Sequence, residues 1–279
     1  MPFTPKKYKI LSVKAINPEV KLFRVKSRMN PLPGKFFEVS ILGVGECPLA
    51  SCSYNKEYLD LLVKNAGGVT SKLSELRKGD SVFIRGPYGR GFPLEEVKGK
   101  NLILVAGGTG IAPVTCLIEY VEKNRKDFSD VFIYFGFRNE DYILLKDRIN
   151  KWSKKFKVTV CLDEKIRKEK NKNKGNYKKG FVHEVMKSER LSVKNPENTC
   201  AFMCGPEIMM KAVSSELNKL GIKKCDIYWS MERRMECAFG SCGRCMIQDV
   251  YVCKDGPVFK YDFIKPRLEN EEESNKYGK

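Results

Sequence analysis

Four cysteines near the carboxyl end carry the most specific spacing in the chain: Cys237, Cys242, Cys245 and Cys253, a C-x4-C-x2-C-x7-C pattern. Thiolates are soft, strongly donating ligands, and the first three positions repeat the plant-type arrangement that holds a [2Fe-2S] cluster. Gly240 and Gly243, set between them, let the backbone fold tightly enough for amide N–H groups to reach sulfur. The same four thiolates would suit a structural zinc ion, although zinc sites usually pair two C-x2-C-like knuckles and one is present here.

A second chemical signal is the run Gly107-Gly108-Thr109-Gly110-Ile111-Ala112-Pro113, which lies between an apolar strand-like segment and a helix-like one. At that position main-chain N–H groups and the helix dipole can hold a phosphate. The run departs from the G-x-G-x-x-G dinucleotide fingerprint because Pro113 takes the third glycine's place, and a plain strand-to-helix turn would read the same way. Cys204-Gly205-Pro206 is a second such turn, again after a strand and before a helix. Two glycine turns at the carboxyl ends of parallel strands can line one crevice, whose natural occupant is a dinucleotide.

Upstream, Pro48-Leu49-Ala50-Ser51 and Gly67-Gly68-Val69-Thr70 offer small residues, hydroxyls and amides that suit a flavin and its pyrophosphate, or ordinary turns. Tyr54 is a candidate for stacking on an isoalloxazine ring. Other chemistries fall away. His183 is the single histidine, so a catalytic triad or an imidazole metal site would rest on it alone, and no G-x-S-x-G or Walker A sequence occurs.

The elements that must position these residues change character along the chain. From Tyr8 to about Pro93, short β-branched and aromatic segments (Tyr8 to Ile16, Lys21 to Val25, Lys35 to Ile41, Tyr58 to Val63, Ser81 to Ile84) alternate with Gly, Pro and Asn turns, as in a small antiparallel β-barrel. After Gly99, strands and helices alternate. Asn101 to Ala106, Val131 to Phe135, Phe156 to Cys161 and Thr199 to Met203 read as strands. Ile111 to Asn124, Tyr142 to Lys151 and Glu207 to Leu220 read as helices. That periodicity implies a Rossmann-like parallel sheet with helices on its faces. The expected organisation is a barrel over 1–97, an α/β domain over 98–230, a small four-cysteine module over 231–264 and a mobile polar tail over 265–279.

Charge adds a question. The chain of 279 residues has 52 Lys and Arg against 34 Asp and Glu, a net +18. Such a balance suits nucleic acid, an anionic membrane surface or an acidic protein. Lys165 to Lys179 concentrates it, with eight basic residues and one Glu, and reads as a docking patch or a solvated loop. Met1 to Ile10 lacks an apolar leader core, and the longest uncharged run, Leu102 to Ile118, is cut by glycines and falls short of the roughly 20 residues of a membrane helix. No membrane span is expected. Eleven cysteines, an odd number, fit a reducing cytoplasm with thiols used as ligands.

The order barrel, GGTGIAP, FGFRNED (Phe135 to Asp141), CGPEIMM (Cys204 to Met210) and cysteine cluster resembles the ferredoxin-NADP reductase superfamily over almost the whole chain. MERRMECAFGSCGRC and YVCKDGPVF are similar to the group holding anaerobic sulfite reductase B subunits, hydrogenase gamma subunits and dihydroorotate dehydrogenase electron-transfer subunits. GKFFEVSILGVGECP, VTSKLSELRKGD and IRGPYGRGFP look most like the sulfite reductase members.

The resemblance implies that FAD is contacted by Pro48, Leu49, Ala50 and Ser51, with Leu62, Val63 and Lys64 on the next strand and Gly68, Val69 and Thr70 at the pyrophosphate. Ala50 is a departure, since related sequences carry Ser there. It implies NAD(H), with NADP(H) also open, on Gly107 to Pro113 (Gly107, Gly108, Thr109, Gly110, Ile111, Ala112, Pro113), Gly136, Arg138, Gly205 and Pro206. Cys204 falls beside the nicotinamide as the catalytic-site cysteine. Cys237, Cys242, Cys245 and Cys253 would hold the cluster. The implied activity is a relay from NADH through FAD and the cluster to a ferredoxin-like iron-sulfur subunit and a sirohaem sulfite reductase subunit. The same relay could serve dihydroorotate dehydrogenase or a hydrogenase. A zinc-binding nucleic-acid module is the reading from a different class, although the motifs give nucleic acid nothing to do.

Overall fold

The computed structural model describes residues 3–164, 176–189 and 193–277. The first part is six antiparallel strands: β1 (Lys6–Ala15), β2 (Val20–Lys26), β3 (Phe36–Ile41), β4 (Gly45–Ala50), β5 (Tyr58–Lys64) and β6 (Ser81–Tyr88). They pair in the order β4-β3-β6-β1-β2-β5, and a bridge between Ser51 and Leu61 brings the two edge strands together into a barrel. Helix α1 (Gly68–Glu75) packs on β3, β4 and β5.

Strand β5 shows why the barrel carries a second domain on its flank. Its side chains alternate: Leu59, Leu61 and Val63 fill the barrel, while Leu62 belongs to the core shared with the α/β part. Asp60 points the same way as Leu62 and is fully buried, bound by Arg24 at 2.8 and 2.9 Å and by Arg148 across the domain boundary.

The second part has a seven-stranded sheet. Its elements are β7 (Asn101–Gly107), α2 (Ile111–Lys123), β8 (Val131–Phe137), α3 (Lys146–Trp152), β9 (Lys157–Leu162), β10 (Tyr177–Lys179), α4 (Val182–Ser188), β11 (Thr199–Cys204), α5 (Glu207–Lys219) and β12 (Ile227–Ser230). The order is β10-β9-β8-β7-β11-β12-β15, where β15 is Val258–Lys260, and every pair is parallel except the last. Strand β7 is covered on both faces, as its unbroken apolar run requires. The chain then leaves the sheet through the cysteine-rich loop, β13 (Met246–Ile247), β14 (Val250–Tyr251) and α6 (Val252–Asp255). It returns as β15 (Val258–Lys260), antiparallel to β12, before α7 (Tyr261–Tyr277).

Several expectations are corrected. Strand β4, Gly45–Ala50, is not among the strand segments expected from the sequence. The glycines at 67 and 68 open α1, since the Thr70 hydroxyl accepts from the N–H groups of Ala66 and Gly67 and caps the helix. The helix expected from Tyr142 begins at Lys146. The polar tail is largely the helix α7, seated by Ile264 and Leu268 and paired through Glu271 to Arg233 and Glu272 to Lys211. Most of the basic segment 165–179 lies outside the described residues; its end, Tyr177–Lys179, is β10.

Candidate functional site

Strands β7 and β11 are neighbours, with Ala106 opposite Cys204, so the two glycine turns leave the sheet side by side. Sequence reasoning put them at one crevice, and the structure packs them against each other. A Cβ on Gly110 would lie 2.4 Å from the Cys204 carbonyl oxygen, and one on Gly205 would lie 2.9 Å from the Gly107 nitrogen. Gly205 also has φ +154°. Only glycine allows both turns at this separation.

Above the turns opens a cavity of about 750 Å³. Gly107 to Gly110, Gly136, Arg138, Gly205 and Pro206 line it, as the sequence suggested. Phe181 and His183, their rings stacked 6.2 Å apart, and the exposed Ile208 form a further apolar part of its wall. Asp163 also lines it, and burial and the neighbouring Glu164 raise its carboxyl pKa. Arg138 is paired to Glu164 at 2.9 Å, and Asn139 donates to the same carboxylate.

A second cavity of about 250 Å³ adjoins the first, sharing Lys64, Thr109 and Glu232 with it, and lies between barrel and sheet. Pro48, Leu49, Ala50 and Leu62 supply its barrel wall; Ala112, Pro113 and Cys204 supply the other. An apolar, narrow space between a strand edge and a helix N-terminus fits a flat ring with a phosphate tail. Ser51 is turned away, its hydroxyl donating to the Ser53 carbonyl at 2.8 Å, so it does not stand in for the hydroxyl that Ala50 lacks. Val63 points into the barrel and Ile111 into the shared core. Gly68, Val69 and Thr70 line neither cavity, and the Thr70 hydroxyl is occupied by its own turn. Tyr54 is also elsewhere: its ring meets Tyr120 edge-on at 5.2 Å in the domain boundary, which corrects the expectation that it stacks on a flavin.

Glu232 was not legible as a site residue. It follows β12 by two positions and sits where the cavities meet, with Oε1 4.0 Å from the Cys204 thiol. Burial raises its carboxyl pKa, and burial followed by Glu232 raises that of Cys204. Cys204 is therefore a protonated, buried thiol and not a ready nucleophile. Met231, Arg233 and Met235 continue the wall of the smaller cavity, and Cys237 comes two residues later.

The four cysteines are arranged two and two. Cys237 lies beside Cys242 and Cys245 beside Cys253, each pair close enough for one thiol to perturb the other's ionisation. Backbone N–H groups face the sulfurs: Ser241 donates to Cys237 at 3.3 Å, Gly240 to Cys253 at 3.2 Å and Cys253 to Cys245 at 3.4 Å. Burial opposes ionisation of Cys237, but the N–H groups of Phe239, Ser241 and Cys242 outweigh it and bring the thiol down to about 6. Burial and Cys245 push Cys253 up to about 12. Gly240 at φ +78° has a backbone conformation that side chains rarely adopt, and a Cβ there would also press on the Lys254 side chain at 2.6 Å. Among the described residues no three Cys, His, Asp or Glu converge as they would about a single ion. Two thiol pairs under amide donors match a binuclear cluster, which takes two thiolates on each iron.

Known proteins show the same parts. The oxidoreductase NAD-binding domain family matches residues 104–215, and the iron-sulfur cluster binding domain of dihydroorotate dehydrogenase B matches residues 232–265. Sulfhydrogenase 2 subunit gamma of Pyrococcus furiosus is 34% identical over 91% of this chain and 93% of its own. A probable dihydroorotate dehydrogenase B (NAD(+)) electron transfer subunit of Methanocaldococcus jannaschii is 36% identical over 89% of this chain and 87% of its own. In fold, the structure of an NADH-dependent reduced ferredoxin-NADP oxidoreductase matches with a TM-score of 0.74 at 23% identity, covering 97% of this chain and 95% of that one. The cytochrome b5 reductase domain of Ulva prolifera nitrate reductase matches with a TM-score of 0.65 at 22% identity, covering 81% and 97%.

Proposed function

Because the chain belongs to the ferredoxin-NADP reductase-like superfamily, beside hydrogenase gamma and dihydroorotate dehydrogenase B electron-transfer subunits, we propose that it relays electrons from NADH to a partner oxidoreductase subunit. One observation carries the reading. The larger cavity adjoins the smaller, sharing Lys64, Thr109 and Glu232 with it, and Met235 on the wall of the smaller stands two residues before Cys237. Three redox stations can therefore stand in a row.

In this reading the larger cavity takes NADH, the smaller takes the ring of FAD, and Cys237, Cys242, Cys245 and Cys253 hold a [2Fe-2S] cluster. The flavin accepts two electrons together and the cluster accepts them singly, which converts a hydride donor into a one-electron supply. The protein's part is geometry and charge. Gly107, Gly110 and Gly205 let the two turns pack together beneath the larger cavity, and α2 begins beside them at Ile111, so its first N–H groups would be placed for a pyrophosphate. Cys204 and Glu232 flank the junction of the cavities, where a nicotinamide and a flavin ring would meet. Pro48 to Ala50 would line one wall of the space for the ring, and Lys64 would offer a cation where the cavities adjoin. Eleven cysteines, none in a disulfide, fit a reducing cytoplasm. No helix among the described residues is long and apolar enough to cross a membrane.

For the terminal acceptor, the relatives favour a dihydroorotate dehydrogenase or a hydrogenase over the sulfite reductase that the motif resemblance suggests. The test is anaerobic: NADH-reduced chain is mixed with purified catalytic subunits of each type, and reoxidation is timed. Fast turnover with a dihydroorotate dehydrogenase or hydrogenase subunit alone supports the preferred assignment. Fast turnover with sulfite reductase alone would replace it.

A further inference from the structure

Arg85 ends the regular pairing of β6 with β3, and its side chain is 6% exposed. Each of its five N–H donors has an acceptor. Nε and one Nη2 hydrogen go to Glu46, at 2.9 and 2.6 Å. One Nη1 hydrogen faces the Tyr88 hydroxyl at 3.3 Å. The remaining two cross to the cysteine loop, reaching the carbonyl oxygens of Glu236 at 3.0 Å and Cys237 at 2.9 Å. Burial works against the charge, but Glu46 and Tyr88 more than compensate, so the guanidinium is held cationic. A saturated buried fork, gripping the two carbonyls at the first cluster thiol, is more than packing requires.

We propose that Arg85 is a positioning residue for the cluster: it clamps the chain entering Cys237 onto the flavin barrel, and its charge makes the cluster easier to reduce. The clamp fixes the separation between the flavin wall and the first ligand. The charge acts because reduction adds one negative charge to the cluster, which a fixed cation nearby stabilises. Glu46 is the counter-charge that limits the effect. Burial opposes its ionisation, but the Arg85 hydrogen bonds outweigh this and keep its pKa low.

The inference rests on the cluster reading above, so the test is read on the cluster itself. The full chain is purified anaerobically, and its midpoint potential and low-temperature EPR line shape are recorded. Arg85→Met should shift the reduction equilibrium about tenfold against the reduced cluster, ~59 mV for a one-electron couple, and broaden the signal. Glu46→Gln, which keeps the fork on the loop but removes its counter-charge, should shift the equilibrium in the opposite direction. Arg85→Lys should recover the potential but not the sharp line, since an ammonium has three donors. If Arg85→Met does not fold, the Glu46→Gln shift decides alone: a rise supports the proposal, and no change or a fall overturns it. A wild-type chain without a cluster signal overturns both the cluster reading and this inference. A cluster whose potential ignores these substitutions overturns the inference alone.

Discussion

Glu38 offers a prediction whose size follows from the structure. Its side chain is fully buried on β3, opposite Arg85 and Pro48 in register, and neither carboxylate oxygen has a hydrogen-bond partner among the described residues. Burial drives the carboxyl up to about 8; Arg85 pulls the other way, and Glu46 and Cys237 add to the rise. The folded chain therefore holds this proton from 4.5, where the group ordinarily ionises, to about 8, and the unfolded chain does not. The folded state binds more protons in that window, so stability falls as pH rises. At ~1.4 kcal/mol per pH unit, the loss amounts to roughly 5 kcal/mol.

Glu38→Gln keeps the shape and removes the titration. Its burial cost is the same at every pH, so the comparison lies in the slope. Thermal unfolding of both proteins, followed anaerobically by fluorescence from pH 5 to 9, should show the wild type losing ground on the variant by about 10 °C between the ends of the range. All other titrating groups cancel in the difference. Parallel curves would refute the reasoning, because they would mean that Glu38 is already ionised, or already partnered by water, in the fold.

Other perturbations follow from the same contacts. Asp60→Ala leaves Arg24 and Arg148 without their buried carboxylate and should cost about 3–5 kcal/mol, measured as a lower urea midpoint; a midpoint within error of wild type would show that the two arginines find other acceptors. Gly110→Ala places a methyl 2.4 Å from the Cys204 carbonyl, so NADH-dependent flavin reduction should drop while bound flavin is retained; unchanged single-turnover rates would place the dinucleotide elsewhere. Cys253→Ser should remove the iron-sulfur absorption and leave the NADH-to-flavin step intact, and iron content equal to wild type would reject Cys253 as a ligand.

Much of the fold was readable because it is written in local periodicity. The continuous apolar run of β7, the helical spacing of α2 and the glycine turns after β7 and β11 all sit where the pattern placed them. What escaped is set by distant neighbours. Strand β12 is only four residues long and was overshadowed by the cysteines after it, although Ile227-Tyr228-Trp229-Ser230 is wholly buried. Helix α7 reads as a tail in sequence because its surface is charged, yet Ile264 and Leu268 lie four apart on one buried face.

The site divides the same way. Cysteine spacing and glycine turns are short-range signals and identified their residues. Glu232, Arg85 and Glu38 are ordinary charged residues in sequence. They become informative only when β12, β6 and β3 bring them to the cavities and to the cysteine loop.

The proposed relay carries electrons from a dinucleotide cavity through a flavin cavity to a cysteine-bound cluster. Its most direct test is to add NADH to the anaerobically purified chain while recording the visible spectrum and then freezing samples for EPR. Flavin and iron-sulfur absorption should be lost together, with the EPR signal of a one-electron-reduced [2Fe-2S] cluster. A colourless, zinc-containing protein, or a flavin reduced by NADH with no signal from the cysteine site, would contradict it.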